Sequence, residues 1–226
     1  MIIGIIAAMK PEIENIIKSL ENKIEHNISN VTIYEGKIAK HKVYVSLSGI
    51  GKVNSAINTT LLINTFKPDL VINSGIAGGS KELNTYDFVI ADQLTYSDFD
   101  CQIFGYQFGQ VPQMPQFFYS DEYYKKQLEQ FLKNKNISFK NADVLTADSF
   151  RMSASEILNK TEGAFATEME GTSIAQACYK LNTPFLSFRI ISDILDSENH
   201  IEEYNKFEIE CAMISSNIII NFIEQI

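Results

Sequence analysis

The sequence predicts an α/β fold built on one mixed, largely parallel sheet flanked by helices. Three observations carry this. Short β-branched runs alternate with segments of helical period along the chain. The 226 residues suit one sizeable domain, and no repeat, low-complexity tract or Pro/Gly/Ser linker divides them, so 1–226 reads as a single domain. Hydrophobic residues make up 45%, enough for a core and too many for a disordered chain.

The elements follow in order. Ile2 to Ala7 reads as a buried strand, and Pro11 to Leu20 as a helix with proline near its first turn. Val31 to Ile38 and Lys42 to Ser48 read as paired strands. Lys52 to Phe66 is a helix that stops before Lys67-Pro68. Leu70 to Asn73 and Phe88 to Ala91 read as buried strands joined through the glycine-rich Ser74 to Gly79. Leu94 to Ser120 is aromatic and irregular, too long for an ordinary connection, which marks it as functional or interfacial. Asp121 to Lys133 is a helix and Asp143 to Thr146 a strand. Ser153 with Glu156 forms a capping-box pattern opening a short helix. Ala164 to Thr167 is a strand, Thr172 to Leu181 a helix, Phe185 to Ile191 a strand, and a long helix runs to Glu224.

Composition excludes several classes. A net charge of −9, with no local Lys/Arg cluster, disfavours nucleic acid and anionic membranes as partners. Cys101, Cys178 and Cys211 are far apart and lack CxxC spacing, which fits reduced thiols in a cytoplasmic protein. His26, His41 and His200 are scattered, and no cluster has metal-ligand spacing, so neither a metal nor a cofactor is expected. The apolar start is cut short at Lys10-Pro11-Glu12 and has no basic lead, so it is not read as a secretory signal. The apolar run Ile218 to Ile220 is far too short to span a bilayer.

Three familiar patterns fail. Gly49-Ile50-Gly51 lacks the third glycine of a dinucleotide fingerprint, since Asn54 stands there. Gly51-Lys52 lacks the Ser/Thr of a phosphate loop, with Val53 in its place. Ser74 is no nucleophile elbow, because Ile72 replaces the required glycine. What remains is a set of polar groups at strand ends, where open α/β sheets collect ligands. Glu12 lies just beyond the first strand, Glu168-Met169-Glu170 ends another, and Asp193 ends the strand holding Arg189. A buried Arg189 demands a carboxylate or ligand partner. Each acid also has a structural reading: Glu12 as a first-turn helix acid, Asp193 as an N-cap, Glu168 and Glu170 as an ion-pair rim. Together they point to an enzyme with carboxylate acid/base chemistry.

The ordered set resembles the 5′-methylthioadenosine/S-adenosylhomocysteine nucleosidases of the purine-nucleoside phosphorylase superfamily, over nearly the whole chain. Ile3 to Met9 followed by Glu12 carries the likeness, with Ser48 to Asn54, Ile72 to Gly79, Phe104 to Pro112, Glu168 to Glu170 and Arg189 to Asp193. The resemblance implies a three-layer α/β/α fold with a twisted mixed sheet, phosphorylase/hydrolase-like. It implies hydrolysis of the N-glycosidic bond of methylthioadenosine and S-adenosylhomocysteine, in methionine salvage and removal of S-adenosylmethionine by-products.

The same resemblance implies residue roles. Asp193 would protonate N7 of the departing adenine, oriented by Ser192. Glu12 would hold and activate water, with Arg189 nearby. Glu170 would bind ribose hydroxyls and Met169 would pack on the sugar. Phe150 would stack on the base, and the backbone of Arg151 would hydrogen-bond it. Ala8, Met9, Ile50, Ala77 and Gly78 would line the pocket, and Tyr204 would close over the 5′ substituent. Phe104 and Pro112 would reach the neighbouring site of a homodimer.

Two positions depart from the family pattern. Ile76 stands where Ser is common, and Arg151 replaces an aliphatic residue. The superfamily also contains phosphorylases. Phosphate prefers several arginines or backbone donors, and the chain has two arginines, Arg151 and Arg189. Ile76 supplies no hydroxyl and Glu12 adds a negative charge, so water is the expected nucleophile. Alternatives are a silent ligand-binding module of this fold, separated by assaying adenine release, and an NAD-dependent oxidoreductase, which the missing glycine disfavours. The apolar set Tyr204, Phe104, Ile50 and Met9 suits a 5′-thioether.

Overall fold

In the computed structural model, residues 1–157, 163–198 and 200–226 are described. The strands are β1 (Ile2–Ala7), β2 (Glu21–Ile28), β3 (Val31–Ile38), β4 (His41–Leu47), β5 (Leu70–Gly79), β6 (Phe88–Tyr96), β7 (Phe118–Tyr119), β8 (Phe139–Thr146), β9 (Phe165–Glu168) and β10 (Phe185–Ile194). The helices are α1 (Lys10–Ser19), α2 (Lys52–Phe66), α3 (Glu122–Asn134), α4 (Gly171–Lys180) and α5 (His200–Gln225).

One sheet runs in the order β10-β6-β8-β9-β5-β1-β4-β3-β2, and β10 also pairs with β5. That extra pairing closes β10, β6, β8, β9 and β5 into a ring, from which β1 to β4 extend as an arm. β1 lies parallel to β4 and β5, β5 to β10, and β8 to β6 and β9. The pairs β2–β3, β3–β4, β5–β9, β6–β7 and β6–β10 are antiparallel. The sheet is therefore evenly mixed rather than largely parallel.

The β-branched runs are buried: Ile3, Ile5, Ile72, Leu186 and Phe188 sit in a core that Phe222 and Ile223 of α5 cover from one side. On the other side Ile174 and Cys178 of α4 and Leu62 of α2 pack against Val71, Val89 and Val144. Fully burying one such side chain contributes roughly 1.5–3 kcal/mol, so the two apolar faces hold the helical layers to the sheet.

The structure corrects several expectations and adds one strand. The glycine-rich Ser74 to Gly79 does not link two strands; it is the second half of β5 and pairs along β10. β6 runs on to Tyr96, so the irregular stretch begins later than Leu94, and it contains a short 3-10 turn at Gln102–Phe104. β2 is a strand that the sequence does not advertise, since it carries no buried residue. The short helix expected after Ser153 is only a 3-10 turn, Ala154–Glu156, which ends at an extended Ile157. Lys52–Phe66 falls where its period places it. Gly49 and Gly51 before it adopt φ of 76° and 100°, a region costly for other residues.

A bulge interrupts β10. Ile191 pairs with Ala77 and Asp193 with Gly78, leaving Ser192 as a surplus residue. Both Ser192 and Asp193 then border the same cavity.

Candidate active site

A cavity of about 300 Å³ opens at the carboxyl ends of β1, β5, β9 and β10. Glu12 and Asp193 both border it. Its apolar wall takes in Ala8, Met9, Ile50 and Ile76, and Ala77 and Gly78 lie beside Asp193. Phe150, Arg151, Met169, Glu170 and Tyr204 also border it.

Glu12 is where helix start and site coincide. It sits in the first turn of α1 and turns back, so that its Oε2 accepts from the N–H groups of Ala8 at 3.0 Å and Met9 at 2.8 Å. Its Oε1 accepts from the N–H of Ile76 at 3.0 Å. Burial pushes its pKa upward, opposed first by the Arg189 charge and then by these three donors. Gly75 makes room: a Cβ there would collide with the Glu12 carboxylate and with Arg189. Glu12 is thus both an acid of the first helical turn and a residue of the cavity wall.

Arg189 finds the carboxylate its burial demands. Its Nη2 donates to Glu168 Oε2 at 2.6 Å and also to the Asn73 side-chain oxygen. It lies beneath the cavity rather than on its wall, 2% exposed, with Nε unpartnered among the described residues. Glu168 in turn accepts from the N–H groups of Glu170 at 3.0 Å and Gly171 at 2.6 Å, and from the Thr146 hydroxyl, capping α4. Glu170 accepts from the Gly51 N–H at 2.7 Å. Burial, reinforced by the neighbouring Glu168 charge, pushes the Glu170 pKa up to about 8. Both acids border the cavity, and Glu168 is the one that pairs with Arg189.

At the other end, Asp193 is 2% exposed. Its Oδ1 accepts from the Ser192 hydroxyl at 2.5 Å. Its Oδ2 lies 2.5 Å from Nε2 of His200, the first residue of α5. A Cβ at Gly78 would stand 2.9 Å from that Oδ2, so the close approach requires glycine. The Phe150 ring lies 5.5 Å from the His200 ring and 5.2 Å from Tyr204, edge-on to the latter. The Tyr204 hydroxyl reaches Met9 Sδ at 3.7 Å.

Phe104 and Pro112 are not on this cavity. Phe104 is 77% exposed and stands near exposed Ile103. Sequence reasoning missed His200, which was grouped with the scattered histidines, and also Thr167 and Ser149 on the wall. Nothing in the local sequence pairs His200 with Asp193 seven residues earlier.

The arrangement supplies a buried acid at one end, a backbone-clamped carboxylate at the other, and an apolar wall between them. It suits a flat apolar heterocycle joined to a polyhydroxylated ring. Among the described residues no cluster of metal-ligating side chains occurs, and no helix is long and apolar enough to cross a membrane.

Comparison with known proteins gives a consistent result. The model of the phosphorylase superfamily matches residues 2–224. The chain is 39% identical over 228 residues to the 5′-methylthioadenosine/S-adenosylhomocysteine nucleosidase of Staphylococcus aureus (strain bovine RF122 / ET3-1), covering 99% of this chain and 100% of that one. The crystal structure of the corresponding Neisseria meningitidis nucleosidase, in complex with methylthio-immucillin-A, superposes with a TM-score of 0.93 at 33% identity, covering 100% of this chain and 99% of that one. The Colwellia psychrerythraea nucleosidase, in complex with adenine, gives 0.92 at 30% identity over 100% and 95% of the two chains.

Proposed function

Because the chain belongs to the phosphorylase superfamily and, within it, to the 5′-methylthioadenosine/S-adenosylhomocysteine nucleosidases, we propose a hydrolytic mechanism run by Asp193 and Glu12. The enzyme is an N-ribosyl hydrolase that splits methylthioadenosine and S-adenosylhomocysteine into adenine and the 5-thio-modified ribose. The observation that carries the mechanism is the placing of two buried acids on one cavity, each with its oxygens held in fixed directions.

Adenine is a poor leaving group until its ring is protonated. Asp193, oriented by Ser192, gives its proton to N7, and the C1′–N9 electron pair withdraws into the purine. The sugar becomes oxocarbenium-like, as in glycoside hydrolysis. Glu12 stabilises that cation and takes a proton from the attacking water; its burial, by raising its pKa, makes it the stronger base. Glu170 receives the ribose hydroxyls, Met169 packs on the sugar, and Phe150 stacks on the base beside the Arg151 backbone. The apolar Met9, Ile50, Ile76 and Tyr204 suit a thioether at the 5′ position.

Water rather than phosphate is the nucleophile in this reading. Arg189 is committed to Glu168 and Asn73, and Arg151 to the Ser97 carbonyl at 3.4 Å and Glu156 at 3.7 Å. Neither offers phosphate a free bidentate fork. The reading includes a cytoplasmic homodimer in which Phe104 and Pro112 complete the neighbour's site; the exposure of Ile103 and Phe104 supports it.

The test is a panel of 5′-substituted adenosines assayed for free adenine, with and without phosphate. Release that is unchanged by phosphate is expected. Strict dependence on phosphate, with ribose 1-phosphate as product, overturns the hydrolytic mechanism.

A further inference from the structure

The acid at the base end of the cavity does not stand alone, and its partner's second hydrogen bond identifies where a proton must lie. His200 Nδ1 sits 3.1 Å from the carbonyl oxygen of Met152. A carbonyl has no hydrogen to give, so Nδ1 carries one and donates it. The other nitrogen, Nε2, faces Asp193 Oδ2 at 2.5 Å, and both side chains are 2% exposed. At that separation, without water, two lone pairs would repel. A proton therefore lies between them, carried either as a carboxylic acid donating to a neutral ring or as an imidazolium donating to a carboxylate. In both cases the pair as a unit holds one transferable proton in a dry site.

We propose that His200 is a positioning residue that keeps Asp193 loaded with the proton destined for the leaving base. This rests on the reading of Asp193 as general acid. The step balances simply. The shared proton moves through Asp193 to purine N7, the C1′–N9 bond breaks with its electron pair entering the purine, and the pair is left as a carboxylate beside a neutral, Nδ1-protonated ring. The two lone pairs then face each other, which drives uptake of a proton from solvent once adenine leaves.

The setting supports a stored proton. The Phe150 ring covers the imidazole from the cavity side at 5.5 Å, and the Met152 carbonyl fixes its rotation. Among the described residues, Tyr204 and Cys211 of α5 lie within electrostatic reach of Asp193, while Glu12 of α1 and Arg151, from the segment after β8, border the same cavity. Burial raises Tyr204 and pushes Cys211 up to about 12, so both stay protonated at neutral pH, and Glu12 is raised as well.

Two measurements decide the matter. The first reads the wild-type enzyme without substrate: ¹⁵N NMR of its histidine rings, with His200 assigned by loss of its signals in His200→Gln. A protonated Nδ1 held across pH 5 to 8 is expected. A neutral ring with the proton on Nε2 alone and a bare Nδ1 overturns the proposal.

The second compares leaving groups. In His200→Gln, kcat for methylthioadenosine should fall about 10²-fold, the lower end of general-acid assistance, with KM changed less than about 3-fold. 4-Nitrophenolate leaves without protonation, so hydrolysis of the 4-nitrophenyl glycoside of 5-methylthioribose should change by less than about 3-fold in the same variant. Equal losses on both substrates, or no loss on methylthioadenosine, overturn the proposal. His200→Asn serves if the glutamine variant does not fold. Wild-type inactivity toward methylthioadenosine would sink the nucleosidase mechanism, while the NMR result would still report on the proton.

Discussion

Glu12 is clamped by main-chain N–H groups of Ala8, Met9 and Ile76, whereas Asp193 is held by side chains, the Ser192 hydroxyl and the His200 ring. The two ends of one cavity thus fix their acids by different means. Backbone donors do not depend on which side chains surround them and have no protons to trade at neutral pH. Side-chain partners can be lost by a single substitution, but one of them can hold a proton. In the proposed mechanism that division matches the work asked of each end: one carboxylate stays in a fixed direction toward water and sugar, the other loads and unloads a proton.

The comparison breaks most sharply if both acids are neutralised in turn. Asp193→Asn keeps the shape but leaves no acid for N7, and adenine release should fall by about 10⁴-fold, the upper end of general-acid assistance. Glu12→Gln should cost about 10³-fold in kcat, since water is no longer deprotonated while Asp193 still protonates the base. Steady-state adenine assays check both. A loss below about 10-fold in either variant would remove that residue from the mechanism.

Ser192→Ala sharpens the contrast at a smaller scale. It deletes one of the two holders of Asp193 and should lower kcat about 10-fold with little change in melting temperature. No comparable side-chain deletion exists for the clamp on Glu12, whose donors are all backbone.

The smallest expected effect concerns Glu170, which sits between the two ends. Its folded pKa of about 8 lies above its ordinary value of 4.5, so the fold favours the protonated form. That stabilisation is complete below about 4.5 and is lost as pH rises through about 8. Glu170→Gln keeps the Gly51 hydrogen bond without the charge. It should melt close to wild type at pH 4.5 and roughly 2–4 °C above it at pH 9, where the neighbouring Glu168 charge no longer meets a second carboxylate. Thermal unfolding at the two pH values measures this; a variant less stable than wild type at pH 9 contradicts it.

Much of this site was legible because its acids stand where strands end. Glu12, Glu170 and Asp193 follow apolar runs whose burial is evident from composition. Arg189 announced a partner by sitting inside such a run, although the partner's identity, Glu168, needed the fold. β2 was not legible, since Glu21–Ile28 buries nothing and so shows no alternation. The second half of β5 was misread because glycines signal turns; here Gly75 and Gly78 are small so that Glu12, Arg189 and Asp193 can approach the strand. His200 was invisible because its contact is made by the chain's path from β10 into α5, which carries no periodic signal.

The surplus residue in β10 has a further consequence. A regular strand shows a given face only every other position, so it cannot present neighbours to one chamber. By giving up a pairing at Ser192, the strand turns two consecutive side chains inward, hydroxyl beside carboxyl. Replacing Ser192 costs a hydrogen bond, but excising it would restore strict alternation and slide the acid one rung along its neighbour. The chemistry thus hangs on counting, and shortening this strand by a single residue is expected to do more harm than altering any one residue around it.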